Sequence, residues 1–157
     1  RPHMIKNIQD HDTIAKAFEY KNKTSIDPKY FEPIIEGMHD VYRDGTASFL
    51  KIPDIEICGK TGTAENFKKI NGSVKQLTDH SVFVAFAPKD NPKIAIAVFV
   101  ENGYWGARWA GRIASLMIEK YIKGEITRTD MEGFVLNGSL EEEYNKPYAG
   151  KPFKINQ

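Results

Sequence analysis

One cysteine, Cys58, stands among the 157 residues, which excludes an internal disulfide framework and any multi-cysteine metal knot. Long hydrophobic runs are also missing. The longest, Ile94 to Val100, has the length of a buried strand and falls far short of a membrane-crossing helix. Charge of one sign is lacking too: 22 Lys and Arg against 21 Asp and Glu leave a net charge of +1, which exerts no global pull towards nucleic acid or acidic membranes. Arg1-Pro2-His3-Met4-Ile5 contains neither an apolar core nor a small-residue cleavage site, so no signal peptide is visible and any export is encoded elsewhere. His3, His11, His39 and His80 have no i, i+4 partner in a zinc pattern, and no metal is expected. Neither internal repeats nor low-complexity segments occur.

What is present fits an ordinary globular domain, with 41% hydrophobic and 27% charged residues. The chain opens on an apolar, β-prone stretch without Met at position 1, and reads as a piece of a longer protein. Residues 9–27 are polar apart from a helix-compatible patch at Ile14–Phe18. Asp27-Pro28 then has the form of an N-cap followed by proline, and Phe31, Ile34, Ile35, Met38, Val41 and Tyr42 recur at helical spacing. Pro33 sits awkwardly inside this helix, because it removes a donor and crowds the preceding turn, so the regular part is expected to start there. Asp44-Gly45 ends it.

Ile52, Ile55 and Ile57 lead into Cys58-Gly59-Lys60-Thr61-Gly62-Thr63 on a strand, and Glu65–Asp79 reads as a polar surface loop with a turn at Asn71-Gly72. Ser81–Ala87 and Lys93–Glu101 are β-rich runs joined by Pro88–Pro92, which predicts a hairpin. Both runs are apolar on both faces, so both are expected to be central and covered on each side. Residues 108–123 read as a helix burying Trp109, Ile113, Met117 and Tyr121, closed by Gly124. Beyond Ile126 the periodicity fades, and Leu136–Gln157 reads as a polar tail with an acidic cluster at Glu141-Glu142-Glu143. The fold class is α/β (α+β), an antiparallel sheet flanked by helices.

Lys60-Thr61-Gly62-Thr63 carries the chemistry. Lys-Thr/Ser-Gly on a strand is the third motif of the penicillin-recognising serine enzymes, beside S-x-x-K and S-x-N. The flanks extend the match: Gly37-Met38 and Gly45-Thr46-Ala47 before it, Gly59–Glu65 around it, and His80–Pro88 after it. On these residues the chain resembles the class B penicillin-binding proteins of the elongation-specific, penicillin-binding protein 2 type. The likeness covers residues 1–123 as the C-terminal part of a transpeptidase domain and leaves 124–157 as a tail of unassigned role. It implies the penicillin-recognising fold and a serine-type D-alanyl-D-alanine transpeptidase acting on peptidoglycan in the intact protein. Lys60 and Thr63 are then the catalytic residues, with Thr61, Gly62 and Thr63 binding substrate.

Each role has a physical reason. The stem peptide ends in a carboxylate that the Lys60 ammonium and the hydroxyls of Thr61 and Thr63 can hold, while Gly62 leaves room for an extended peptide to dock as an added strand. The resemblance assigns the Thr63 backbone N–H to half of an oxyanion hole, the other half coming from the nucleophilic serine. It further implies β-lactams as ligands, a membrane-embedded glycan polymerase as partner, no cofactor, no nucleic acid, an N-terminal membrane anchor and a periplasmic catalytic domain.

Competing readings meet specific obstacles. Gly59-Lys60-Thr61 matches the end of a P-loop, but the first glycine would fall on Asp54. Ser48-Phe49-Leu50-Lys51 spells S-x-x-K only about a dozen residues before the motif and just ahead of Pro53, where no buried helix can open. S-x-N is absent, so the chain is expected to be inactive alone. Tyr104, Trp105 and Trp109 are read as loop-to-helix packing rather than a substrate wall, and Cys58 as a small core residue. A catalytically silent peptide-binding or structural fragment, and a D-alanyl carboxypeptidase or serine β-lactamase relative, remain as alternative functions.

Overall fold

The computed structural model describes residues 23–144. The expectations for the strand-like start and for Ile14–Phe18 lie outside these residues. Two compact units divide the chain after Phe31. In the first, the Asp27 carboxylate accepts from the backbone N–H of Lys29 at 3.0 Å and caps a 3-10 turn, Pro28–Tyr30. The expected N-cap is present there, but on a turn too short to be an α-helix.

In the second unit, helix α1 spans Glu32–Arg43, starting one residue ahead of Pro33. Proline is tolerated in a first turn, where its missing donor would have no partner in any case. A 3-10 turn, Ser48–Leu50, leads to β1 (Cys58–Ala64), β2 (Phe67–Ile70), β3 (Ser73–Gln76), β4 (His80–Ala87) and β5 (Ile94–Val100). A π-helical turn, Ala107–Gly111, runs into α2 (Arg112–Lys123), followed by α3 (Thr129–Asn137) and α4 (Glu141–Tyr144). The main sheet is antiparallel in the order β1-β4-β5, and β2 pairs with β3 in a separate ribbon.

β4 and β5 form the expected hairpin, with Ser81 opposite Val100 and Ala87 opposite Ile94. One face of β4, carrying Ser81, Phe83, Ala85 and Ala87, is buried. Phe83, Ala85 and Ala87 meet Tyr42, Leu50, Ile52, Ile57, Ala107, Ala110, Ala114 and Ile118 in one core. On the opposite face Val84 is 40% and Phe99 56% exposed, so the expected cover on both sides is absent among the described residues. Hydrophobic composition alone did not separate a two-sided strand from a one-sided one.

The helical face after the sheet also differs from expectation. Trp109 is buried, but Met117 is 53% and Tyr121 64% exposed, and the contact with the sheet runs through Ala110, Ala114 and Ile118. The true stripe is displaced by one residue, about 100° of helix rotation. Small side chains win there because the Leu50 side chain packs directly onto the helix: a Cβ on Gly111 would stand 2.6 Å from Leu50 Cδ1. Glu65–Asp79 is likewise not a simple loop. Asn71 and Gly72, at φ 51° and 81°, make the two-residue turn that matches strand twist, and β2 and β3 flank it. The polar segment after Ile126 carries α3 and α4, and the Glu143 side chain is fully buried.

Candidate active site

β1 carries the Lys60–Thr63 motif and pairs with β4 on one side, leaving its other edge without a strand among the described residues. Lys60 stands opposite Val84 and Gly62 opposite Val82, whereas Thr61 and Thr63 stand opposite Phe83 and Ser81. Directly opposed residues share a face, so Lys60 belongs to the open face and the two threonines to the helix-covered one. The structure therefore brings the four residues to one strand edge without placing their side chains on one side. Lys60 is exposed, and its ammonium donates to the Thr61 carbonyl at 2.7 Å.

The threonine side chains are held from the covered face. Thr61 Oγ1 lies 3.2 Å from Thr46 Oγ1, and Thr63 Oγ1 accepts from the Gly106 N–H at 3.3 Å. Gly106 is tied to β4 in turn. The buried Ser81 hydroxyl lies 2.9 and 3.0 Å from the carbonyls of Trp105 and Gly106 and accepts from the Ala110 N–H at 3.1 Å. A fixed loop thus presses on the motif at Gly62 and Thr63.

Beyond Ala64 a second polar staple fixes the chain. The Asn66 side-chain amide donates to Asn102 Oδ1 at 2.7 Å and to the Thr78 carbonyl at 3.1 Å. The Asn102 N–H donates to His80 Nδ1 at 3.0 Å, and the Tyr104 N–H donates to the Asp79 carbonyl at 2.9 Å. Asn102 and Tyr104 both have positive φ, 54° and 73°, a conformation uncommon for residues with a side chain. The loop that bears Tyr104 and Trp105 is thereby set against the end of β1. Trp105 is 38% exposed with its ring centre 6.2 Å from Phe49, while Trp109 is buried and its indole N–H donates to Glu143 Oε1 at 3.1 Å. Arg108 also donates to that carboxylate.

Ser48 opens the 3-10 turn Ser48–Leu50, and among the described contacts no hydrogen bond joins its hydroxyl to Lys51. Cys58 is buried, and burial pushes its thiol up to about 11, which keeps it protonated and unreactive at neutral pH. Among the described residues no group of three or more His, Cys, Asp or Glu is placed to hold a metal ion.

Sequence reading missed Ser81, Asn66, Asn102 and Gly106 as supports of the motif. Three are polar residues whose partners lie 12 to 36 positions away, so no pattern within one element marks them. For Asn66 the Asn71-Gly72 turn was the available signal, since a hairpin there requires its two ends to be tied together.

The penicillin binding protein transpeptidase domain family matches residues 1–119. The chain is 44% identical over 79 residues to the peptidoglycan D,D-transpeptidase MrdA of Acinetobacter baumannii, covering 45% of this chain and 12% of that protein. It is 30% identical over 135 residues to the peptidoglycan D,D-transpeptidase PbpA of Mycobacterium tuberculosis, covering 80% of this chain and 26% of the relative. Among solved structures, penicillin-binding protein A from M. tuberculosis as an imipenem acyl-enzyme complex superposes with a TM-score of 0.54 at 29% identity, over 66% of this chain and 21% of that one. The chain thus spans about an eighth to a quarter of the length of these curated relatives. An antiparallel sheet with Lys60-Thr61-Gly62-Thr63 on its edge strand, helices on one face, and a family match over residues 1–119 make this chain a member of the penicillin-binding protein transpeptidase family.

Proposed function

We propose that this chain is the C-terminal part of a peptidoglycan D,D-transpeptidase, with residues 1–123 belonging to the catalytic domain and 124–157 forming its tail. The observation that carries the reading is the placement of Lys60–Thr63 on a strand edge that an extended peptide can join. Lys60 anchors the terminal carboxylate of a D-alanyl-D-alanine stem peptide from the open face of β1, Thr61 and Thr63 line the same edge from the covered face, and Gly62 keeps the edge open to the peptide backbone. The Thr63 N–H stabilises the oxyanion as a serine elsewhere in the protein attacks the penultimate carbonyl. The amide bond breaks, D-alanine leaves with the proton, and an amine from a neighbouring strand captures the acyl-enzyme. β-Lactams acylate the same serine. The whole protein is anchored in the bacterial inner membrane, works on the periplasmic side, and partners a glycan polymerase.

Intact-mass spectrometry after benzylpenicillin treatment tests this. A full-length protein carrying this chain gains one adduct, while the 157-residue chain gains none. Lys60→Ala in the full-length protein slows acylation roughly ten- to a hundredfold, the loss of one charge-assisted contact of about 1.5–3 kcal/mol. Ser48→Ala leaves acylation unchanged. An adduct on the chain alone that disappears with Ser48→Ala overturns the assignment.

A further inference from the structure

The ribbon that grows out of the motif strand is positively charged, and nothing in the reaction as described uses it. Lys68 on β2 stands directly opposite Lys75 on β3 and shares a face with it, while Lys69, opposite Val74, belongs to the other face. All three are exposed, and none forms an ion pair among the described residues. Residues 67–77 contain no acidic side chain, and the flanking acids, Glu65 and Asp79, stand at the base of the ribbon. Like charges directly across a ladder oppose its formation. The ribbon forms nonetheless, with its base clamped: the Leu77 N–H donates to the Asn66 carbonyl at 2.8 Å, and the Asn66 side chain reaches Thr78 and Asn102. Two cations on one face of the ribbon, and a third on the other, are thereby held beyond the end of β1.

We infer that the β2–β3 ribbon is a cationic subsite for carboxylates on the acyl-donor peptide, upstream of the carbonyl that reacts. This rests on the transpeptidase reading, which fixes the direction of the bound peptide. Its terminal carboxylate sits at Lys60 and its reacting carbonyl at Thr63, so the peptide runs antiparallel to β1. The residues preceding the scissile bond then extend past Ala64 towards Lys68, and at about 3.3 Å per residue two to four of them reach the ribbon. A donor bearing free carboxylates there meets the Lys68–Lys75 pair; a donor with those groups amidated does not. The subsite therefore selects acidic stem peptides.

The test uses the full-length protein and paired synthetic peptides ending in D-alanyl-D-alanine, one with free upstream carboxylates and one with them amidated. Each peptide's protection against fluorescent-penicillin labelling is measured at low and high salt. The acidic peptide protects about three- to tenfold better at low salt, as two exposed ion pairs supply. Salt shrinks that ratio. Lys68→Ala/Lys75→Ala brings the ratio to about one, and Lys68→Arg/Lys75→Arg keeps it. Equal protection by the two peptides in the wild type, or a ratio untouched by the alanine variant, overturns the subsite while leaving the transpeptidase reading intact. A ratio of one together with lysine-dependent binding to vesicles of anionic phospholipid overturns it in favour of a membrane contact. A wild-type protein that takes no penicillin label overturns the transpeptidase reading, and the subsite with it.

Discussion

Gly106 is where the loop after β5 presses on the motif strand, and adding one methyl group there probes how tightly the two are joined. A Cβ built on Gly106 would stand 2.4 Å from the Gly62 carbonyl oxygen, 2.8 Å from the Gly62 nitrogen and 2.9 Å from the Val82 oxygen. All three are backbone atoms, so no rotamer change relieves the clash. The backbone at Gly106 has φ −54° and ψ −41°, which alanine adopts freely, so the destabilising part of Gly106→Ala is steric. Comfortable contacts lie at about 3.5–4.0 Å, which requires β1 and the π-helical turn to separate by about 1 Å. Overpacking of this kind costs about 1–3 kcal/mol. The smaller unfolded-state entropy of alanine offsets about 0.4–1 kcal/mol of that. A net loss of about 1–2 kcal/mol lowers Tm by about 2–8 °C in a domain of this size. Gly37 supplies the mirror case, being exposed in the middle of α1 with nothing within 4 Å of its would-be Cβ. Gly37→Ala raises stability by about 0.5–1 kcal/mol. Thermal unfolding followed by circular dichroism reads both. If Thr63 has the proposed oxyanion role, Gly106→Ala in a full-length protein also cuts penicillin acylation by up to about a hundredfold, because a shift of about 1 Å in β1 misplaces the reacting groups. A Gly106→Ala variant as stable as the wild type, or shifts of the same sign at both glycines, would refute the close approach.

Two further outcomes follow from the fully buried Glu119, which accepts from Arg128 at 2.9 Å and from the Thr127 hydroxyl at 2.6 Å. Arg128→Ala strands that carboxylate and also removes donors to the Leu50 and Ser115 carbonyls, so urea denaturation shows a loss of about 3–5 kcal/mol. Glu119→Gln combined with Arg128→Met recovers much of it, because the uncompensated charge is gone. Burial alone would raise the Glu119 pKa, but hydrogen bonds from Thr127 and Arg128 outweigh it and hold the carboxyl below its ordinary value. Folding therefore favours the ionised form. The stability difference between wild type and Glu119→Gln is full above the unfolded value of about 4.3 and shrinks as pH falls through the lower folded value. A difference that grows on acidification contradicts this sign.

Much of the fold is legible because its signals are local and repeated. The β4–β5 hairpin was plain from two runs of β-branched and aromatic residues around Pro88–Pro92, and α1 was plain from Ile35, Met38, Val41 and Tyr42 at helical spacing. The errors share a cause. Reading the large side chains Met117 and Tyr121 as the buried stripe assumed that size marks the core. Where large side chains such as Leu50 and Phe83 pack directly onto the helix backbone, as at Gly111, the buried stripe consists of the smallest residues, Ala110 and Ala114. The same assumption took the apolar second faces of β4 and β5 as covered. Composition says that a face can be buried, not that something lies on it.

The site divides in the same way. Lys60-Thr61-Gly62-Thr63 is legible as a motif because a cation, two hydroxyls and a glycine sit in consecutive positions, and all four fall on one edge strand. What aims that strand is spread along the chain. Ser81 and Gly106 clamp the end bearing Thr63, while Asn66, Asn102 and His80 tie down the chain just beyond it. Each is a single polar or small residue whose meaning appears only when strands β1 and β4 and the loop after β5 are side by side. Glu143 makes the point most sharply. It looks like one of three solvated acids in a polar tail, yet it is fully buried against Arg108 and Trp109 at the turn that follows Gly106. A buried carboxylate so far along the chain is affordable only because Arg108 and the indole N–H supply charge and hydrogen bonds together. The tail is thereby tied to the same turn that holds Thr63. The supports of the motif extend well past the residues that announce it, and they are set by pairing between distant segments rather than by any pattern within one.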